Sequence, residues 1–82
     1  MMLPFESRSQ VATDVDVLET LDAKGALRIA QLADQIGVEQ ETVIRSLDRL
    51  TLLGAVELSG ERGGWVLTET GERLARGIAQ KW

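Results

Sequence analysis

Two adjoining stretches decide how the chain folds: Ile29-Ala30-Gln31-Leu32-Ala33-Asp34-Gln35-Ile36-Gly37-Val38 and Thr42-Val43-Ile44-Arg45-Ser46-Leu47-Asp48-Arg49-Leu50. In the first, Ile29, Leu32, Ala33 and Ile36 recur at i, i+3, i+4 and i+7, which places them on one face of a helix. Gly37 ends that helix and Val38 is a buried pivot. A second helix begins at once, over about 40–53. Val43, Leu47, Leu50 and then Leu53 or Gly54 form its buried stripe. Glu39 and Glu41 sit in its first turn, where acids suit the positive end of the helix dipole. Small Ala33 lets the two helices cross closely, and Gly37 supplies the tight turn between them.

Toward the N-terminus, the pattern predicts a helix from about Thr13 to Ala23. Thr13 serves as N-cap, and Asp14 and Asp16 complement the dipole. Val15, Leu18 and Leu21 or Asp22 make its stripe, with Val17 beside it. Lys24-Gly25 closes it. Ala26-Leu27-Arg28 fits a brief strand, and residues 1–12 form an N-terminal extension.

Toward the C-terminus, the apolar period drops to two. Val56 and Leu58 alternate with Glu57 and Ser59. Beyond Gly60-Glu61-Arg62-Gly63-Gly64, Trp65 and Leu67 alternate with Val66 and Thr68. That is a β-hairpin with a glycine-rich tip, and Trp65 and Leu67 are predicted core residues. Thr68 then caps a last helix over about 69–81, with Leu74, Ala75, Ile78 and Trp82 on its apolar side. The fold class is mainly α with a small β-hairpin (α+β). One domain covers 13–82, in the order helix, short strand, helix, helix, strand, strand, helix.

Composition narrows the function. With 82 residues the chain is one domain with little core to spare. It has no Cys and no His, so disulfides, thiolate chemistry, the usual transition-metal ligand sets and His-dependent nucleophiles are excluded. Gly60 to Gly64 lacks the Lys-Ser/Thr ending of a phosphate-binding loop. No enzyme activity, cofactor or metal is expected. No apolar run is long enough to span a membrane, and Met1-Met2-Leu3-Pro4-Phe5 lacks the basic flank of a secretory signal. The expected location is cytoplasmic. The net charge is −4, unusual for a nucleic-acid binder. Its distribution is uneven: Glu6, Asp14, Asp16, Glu19 and Asp22 crowd the first quarter, while Arg45, Arg49, Arg62, Arg73, Arg76 and Lys81 lie in the second half.

The element order resembles the winged helix-turn-helix, and three segments carry the resemblance. Residues 29–38 look like the first helix and turn of the motif. Residues 42–50 look like the recognition helix, leading through Leu53-Gly54-Ala55-Val56-Glu57 into the wing. Gly64-Trp65-Val66-Leu67-Thr68-Glu69-Thr70-Gly71 is similar to the wing return and capped last helix of MarR, PadR and ArsR-like regulators. The resemblance covers roughly Asp14 to Gln80. It implies a transcriptional regulator that places the third helix in the major groove of double-stranded DNA and the 59–64 wing on the flanking backbone or minor groove. By position, Gln40, Thr42, Arg45, Ser46 and Arg49 face DNA, with Arg62 at the wing tip. Gln40 suits adenine and Arg45 guanine, whereas Arg49 suits a phosphate.

Glu39, Glu41 and Asp48 depart from that pattern, because acids near phosphates repel, and Ile44 is a large apolar residue on the outer face. These features support a second expectation, a winged-helix module that binds a protein in a transcription, replication or chromosome-partition complex. Arg45 also stands four residues after Glu41, the favourable order for an intrahelical pair. Apolar residues at both ends, Leu3, Phe5, Ile78 and Trp82, predict a homodimer interface. The alternative for Phe5 and Trp82 is that they pack together within one subunit.

Overall fold

The turn between the two central helices is built on Gly37, at φ 83°. An L-residue with a side chain is disfavoured there, and glycine is not. Its N–H donates to the Ala33 carbonyl (2.8 Å), closing one helix as the next begins. The computed structural model describes residues 10–81, with side chains described through Ile78. Four helices, α1 (Gln10–Lys24), α2 (Ile29–Ile36), α3 (Gln40–Leu52) and α4 (Glu69–Lys81), enclose one antiparallel hairpin of strands Val56–Ser59 and Gly64–Leu67. This is the winged helix-turn-helix arrangement. Of the apolar residues expected to form an interface, Leu3, Phe5 and Trp82 lie outside the described residues.

The core lies where α1, α2 and α3 meet. Val17, Leu18, Leu21, Leu32, Ala33, Val43, Leu47 and Leu50 are buried there, joined by Ala55, Val56 and Ala75. Trp65, Leu67 and Ile78 are partly buried against this cluster, so Trp65 and Leu67 pack as expected. The register pairs Val56 with Leu67 and Leu58 with Trp65. The short strand anticipated at 26–28 reduces to a single bridge. Leu27 and Trp65 exchange both backbone hydrogen bonds (2.7 and 3.1 Å).

Several local expectations are corrected. The first helix begins at Gln10, three residues ahead of the start expected for that helix. Thr13 is therefore not an N-cap but a buried helical residue, and no acid occupies the first turn. The buried face of α1 is Thr13, Val17, Leu18 and Leu21, while Val15 is only half-buried. At the end of α3, Leu53 is 63% exposed, because the chain turns away from the core at Gly54. Leu58 shares a strand face with Val56 yet lies past the core's edge, and Leu74 flanks the buried Ala75 without itself being buried.

The hairpin returns to α4 through a tight junction. Thr68 donates its N–H to the Ala55 carbonyl (2.9 Å) and its hydroxyl to the Gly54 carbonyl. The same hydroxyl accepts from the Gly71 N–H (3.1 Å), which is the predicted N-cap. A Cβ on Gly71 would collide with the Ala55 carbonyl. In an open helix, alanine is favoured over glycine by about 1 kcal/mol. At Gly71 the clash reverses the sign: Gly71→Ala is expected to destabilise the fold by about 3 kcal/mol. Urea unfolding checks this, and an unchanged or raised midpoint would show that the contact yields easily.

Candidate nucleic-acid interface

The buried side of α3 is Val43, Ser46, Leu47 and Leu50. At 100° per residue, the opposite side is centred on Glu41, Arg45, Asp48 and Leu52, with Ile44 at its edge. All five are exposed. Six residues were expected to meet DNA, and the structure separates them.

Gln40 and Arg45 are exposed and Thr42 is half-buried, all in the first half of α3. Gln40 borders an open concavity of about 510 Å³ at the α2–α3 turn, together with Asp34 and Glu39. Glu39 occupies the N-cap position but its side chain makes no capping bond. Arg45 pairs with Glu41 (2.9 Å), as the spacing suggested. Both side chains are well exposed, so the pair contributes little to stability.

Ser46 and Arg49 are turned to a different task. Ser46 is completely buried, and its hydroxyl donates to Asp14 Oδ1 on α1. Arg49 approaches the same carboxylate through Nη2 (2.8 Å, to Oδ1) and Nε (3.1 Å, to Oδ2). One acid of α1 thus binds two residues of α3 (a bidentate guanidinium and a hydroxyl). The hydrogen bond to Asp14 raises the Arg49 pKa above its ordinary value, against a smaller opposing effect of burial. A raised pKa adds stability wherever the unfolded-state arginine is still charged, so this contribution is complete at neutral pH and fades only in strong alkali. Ser46 has no surface left for DNA, and Arg49 is engaged. The sequence assigned Asp14 to the helix dipole. The signal that would have corrected this is its position at the edge of the Leu18–Leu21 stripe, facing a neighbouring helix.

Arg62, at the hairpin turn, is exposed. It borders a cleft shared with Asp22 of α1 and Glu72 of α4. The cation that braces the wing is one the sequence did not single out: Arg28 Nε donates to the Gly63 carbonyl (2.9 Å). The Arg28 backbone N–H is held by the Gln31 side chain (2.9 Å) at the start of α2. Among the described residues, no group of His, Cys, Asp or Glu is arranged to hold a metal ion, and no helix is long and apolar enough to cross a membrane.

No protein-family model and no curated protein matches the chain. Solved structures do. NcsB1, an O-methyltransferase from neocarzinostatin biosynthesis in complex with S-adenosyl-L-homocysteine, is 31% identical, with a TM-score of 0.61 over 79% of this chain and 21% of its own. The same enzyme with S-adenosylmethionine and 2-hydroxy-5-methyl naphthoic acid gives 26% identity and 0.61 over 90% of this chain and 24% of its own. ZitR of Lactococcus lactis, solved as a cysteine-to-serine mutant, is 22% identical, with a TM-score of 0.71 over 98% of this chain and 60% of its own. The chain thus spans about a fifth of the methyltransferase and three-fifths of ZitR. The ZitR likeness establishes the shared winged-helix fold. The methyltransferase likeness corrects the expectation that the chain stands apart from enzymes, because the same fold at comparable or higher identity is a portion of one.

The Asp14 brace yields a quantitative expectation. Asp14→Ala strands a buried hydroxyl and a half-buried guanidinium, and should cost about 1–3 kcal/mol. Arg49→Ala should cost less, since Asp14 retains Ser46. In a double-mutant cycle the two changes are expected to be non-additive by more than about 0.5 kcal/mol. Strict additivity in urea unfolding would show that the Asp14–Arg49 pair contributes nothing of its own.

Proposed function

We propose that the chain is a small winged-helix transcriptional regulator that binds duplex DNA in the cytoplasm, with a contact set narrower than its sequence suggested. Gln40, Thr42 and Arg45 enter the major groove, and Arg28 with the hairpin turn meets flanking phosphates. The observation that carries this reading is the first half of α3, whose polar side chains stand clear of the core directly after the tight Gly37 turn. Recognition helices read bases with that end. The Glu41–Arg45 pair is a weak restraint, so Arg45 gives it up at small cost for a guanine edge. Ser46 and Arg49 are not part of the contact. We also propose that the regulator works as a homodimer through Ile78 and the terminal segments carrying Leu3, Phe5 and Trp82, since two-fold pairing presents two recognition helices to one site.

A second reading draws on a specific observation. Ile44 and Leu52 are 42% and 88% exposed on the outer side of α3, beside Glu41 and Asp48. Together with the 31% identity to part of an O-methyltransferase, this supports α3 as a docking face for another protein or for the remainder of a methyltransferase.

Selection from random duplex DNA at low salt separates the two readings. On an enriched site, Arg45→Ala should lose about 1–3 kcal/mol and relax base preference, while Arg28→Ala should weaken all sequences and lower the salt slope by about one. Failure to enrich any sequence, with no duplex binding by the parent chain, rejects the DNA reading in favour of docking. For the dimer, analytical ultracentrifugation should show a species of twice the chain mass, and a monomer at high micromolar concentration would overturn it.

A further inference from the structure

Glu41 stands in the first turn of α3, the end that the DNA-binding reading sends into the major groove. Its carboxylate takes the Arg45 guanidinium through Oε2 (2.9 Å), and both side chains remain 70% exposed. The pair can therefore open outward without disturbing the core. Asp48 lies about two turns later on the same side of the helix and is also exposed. The two acids differ in depth: Glu41 belongs to the half of α3 that enters the groove, and Asp48 follows it.

We propose that Glu41 is a specificity-determining residue: its carboxylate accepts a hydrogen bond from the N4 amino group of a cytosine, close to the guanine taken by Arg45. This role rests on the DNA-binding reading and deepens it. Once Arg45 turns to a guanine, Glu41 loses its cation in a groove walled by phosphates. An acid there repels the duplex unless it meets a donor. Base edges in the major groove offer such donors only as the amino groups at adenine N6 and cytosine N4. Guanine presents acceptors, and thymine an acceptor and a methyl group. The adenine amino group lies between adenine N7 and thymine O4, and both acceptors oppose a carboxylate. The cytosine amino group has an acceptor, guanine O6, on one side only. Charge therefore selects cytosine.

Spacing restricts where that cytosine stands. Four residues of helix rise cover about 6 Å and successive bases are about 3.4 Å apart, so it lies within about two base pairs of the Arg45 guanine. Glu41 then acts mainly against wrong sequences. A site without the cytosine leaves the carboxylate unpaired beside phosphates, and discrimination comes from that penalty.

Selection from random duplex DNA at low salt, run in parallel with the parent chain, Arg45→Ala, Glu41→Ala, Glu41→Gln and Asp48→Ala, tests this role. All of these substitutions alter exposed side chains. The parent should enrich a cytosine near the guanine whose preference disappears in Arg45→Ala. Exchanging that C·G pair for T·A should weaken the parent about tenfold, or about 1.4 kcal/mol. Glu41→Ala should lose this discrimination, keep the guanine, and bind the exchanged site at least as tightly as the parent does. Glu41→Gln should shift the preference from cytosine to adenine, because an amide pairs with N6 and N7 together. Asp48→Ala should raise affinity alike for all sequences and leave base preference unchanged. A Glu41→Ala motif identical to the parent's overturns the role. So does a change confined to the guanine, which would make Glu41 only a restraint on Arg45. A parent motif without the cytosine overturns the role alone, whereas a parent that enriches no sequence overturns the DNA-binding reading and this role with it.

Discussion

The carbonyl of Ala55 is where α3, the hairpin and α4 are joined. Ala55 is fully buried. Its N–H closes the end of α3 on the Leu50 carbonyl (2.8 Å), and its own carbonyl receives the Thr68 N–H. Gly71 lets α4 lie against that same carbonyl, with no room for a Cβ. The direction of the hairpin relative to α3 and the direction of α4 relative to the hairpin are therefore set by one peptide group. Thr68 completes the junction because one hydroxyl serves two purposes, capping α4 and satisfying the Gly54 carbonyl at the turn out of α3. The buried Ala55 N–H and carbonyl would be costly to leave unpaired.

The middle and last turn of α3 are held by Asp14. The apolar contact between α1 and α3 leaves rotation about each helix axis weakly determined, since Leu and Val side chains tolerate small slides. A carboxylate that must meet both the Ser46 hydroxyl and the Arg49 guanidinium tolerates much less. This fixes which side of α3 looks outward. The brace also takes two polar residues from the outer surface, so structural and recognition roles divide the helix between them.

Much of this fold was legible in the sequence. α2, the hairpin and α4 carry both a clear period and a clear stop signal, and their bounds lie where Gly37, the 60–64 glycines and Thr68 predict. α1 was harder. Val15, Val17 and Leu18 fit overlapping helical stripes, and only the positions of α3 and α4 decide between them. Thr13 then misled as a cap because Thr is favoured at N-caps in general, while Gln10-Val11-Ala12 carries no competing start signal. The site was less legible than the fold. Spacing along α3 lists its polar residues but does not say which are engaged by another element. Asp14 and Ser46 are 32 positions apart, and no local pattern connects them. Arg28 was passed over for the same reason: its role depends on a hairpin tip 35 residues away.

The outward side of α3 carries two acids, one arginine and Leu52 near its centre and Ile44 at its edge, an unusual recognition surface. With a net charge of −4, the chain gains no long-range attraction to a polyanion, and whatever affinity it has must come from short-range contacts. Those contacts are concentrated at the start of α3, where Gln40 and Arg45 precede Asp48 and Leu52. A helix that enters a groove by its N-terminal end keeps its later turns away from the phosphates, so the acid at 48 costs less than its charge alone implies. A protein partner would use the length of the helix, where Ile44 and Leu52 offer apolar area and Asp48 a charge to match. The two readings therefore place different demands on Arg45. DNA needs it released from Glu41, whereas a docking face is served as well by the intact pair.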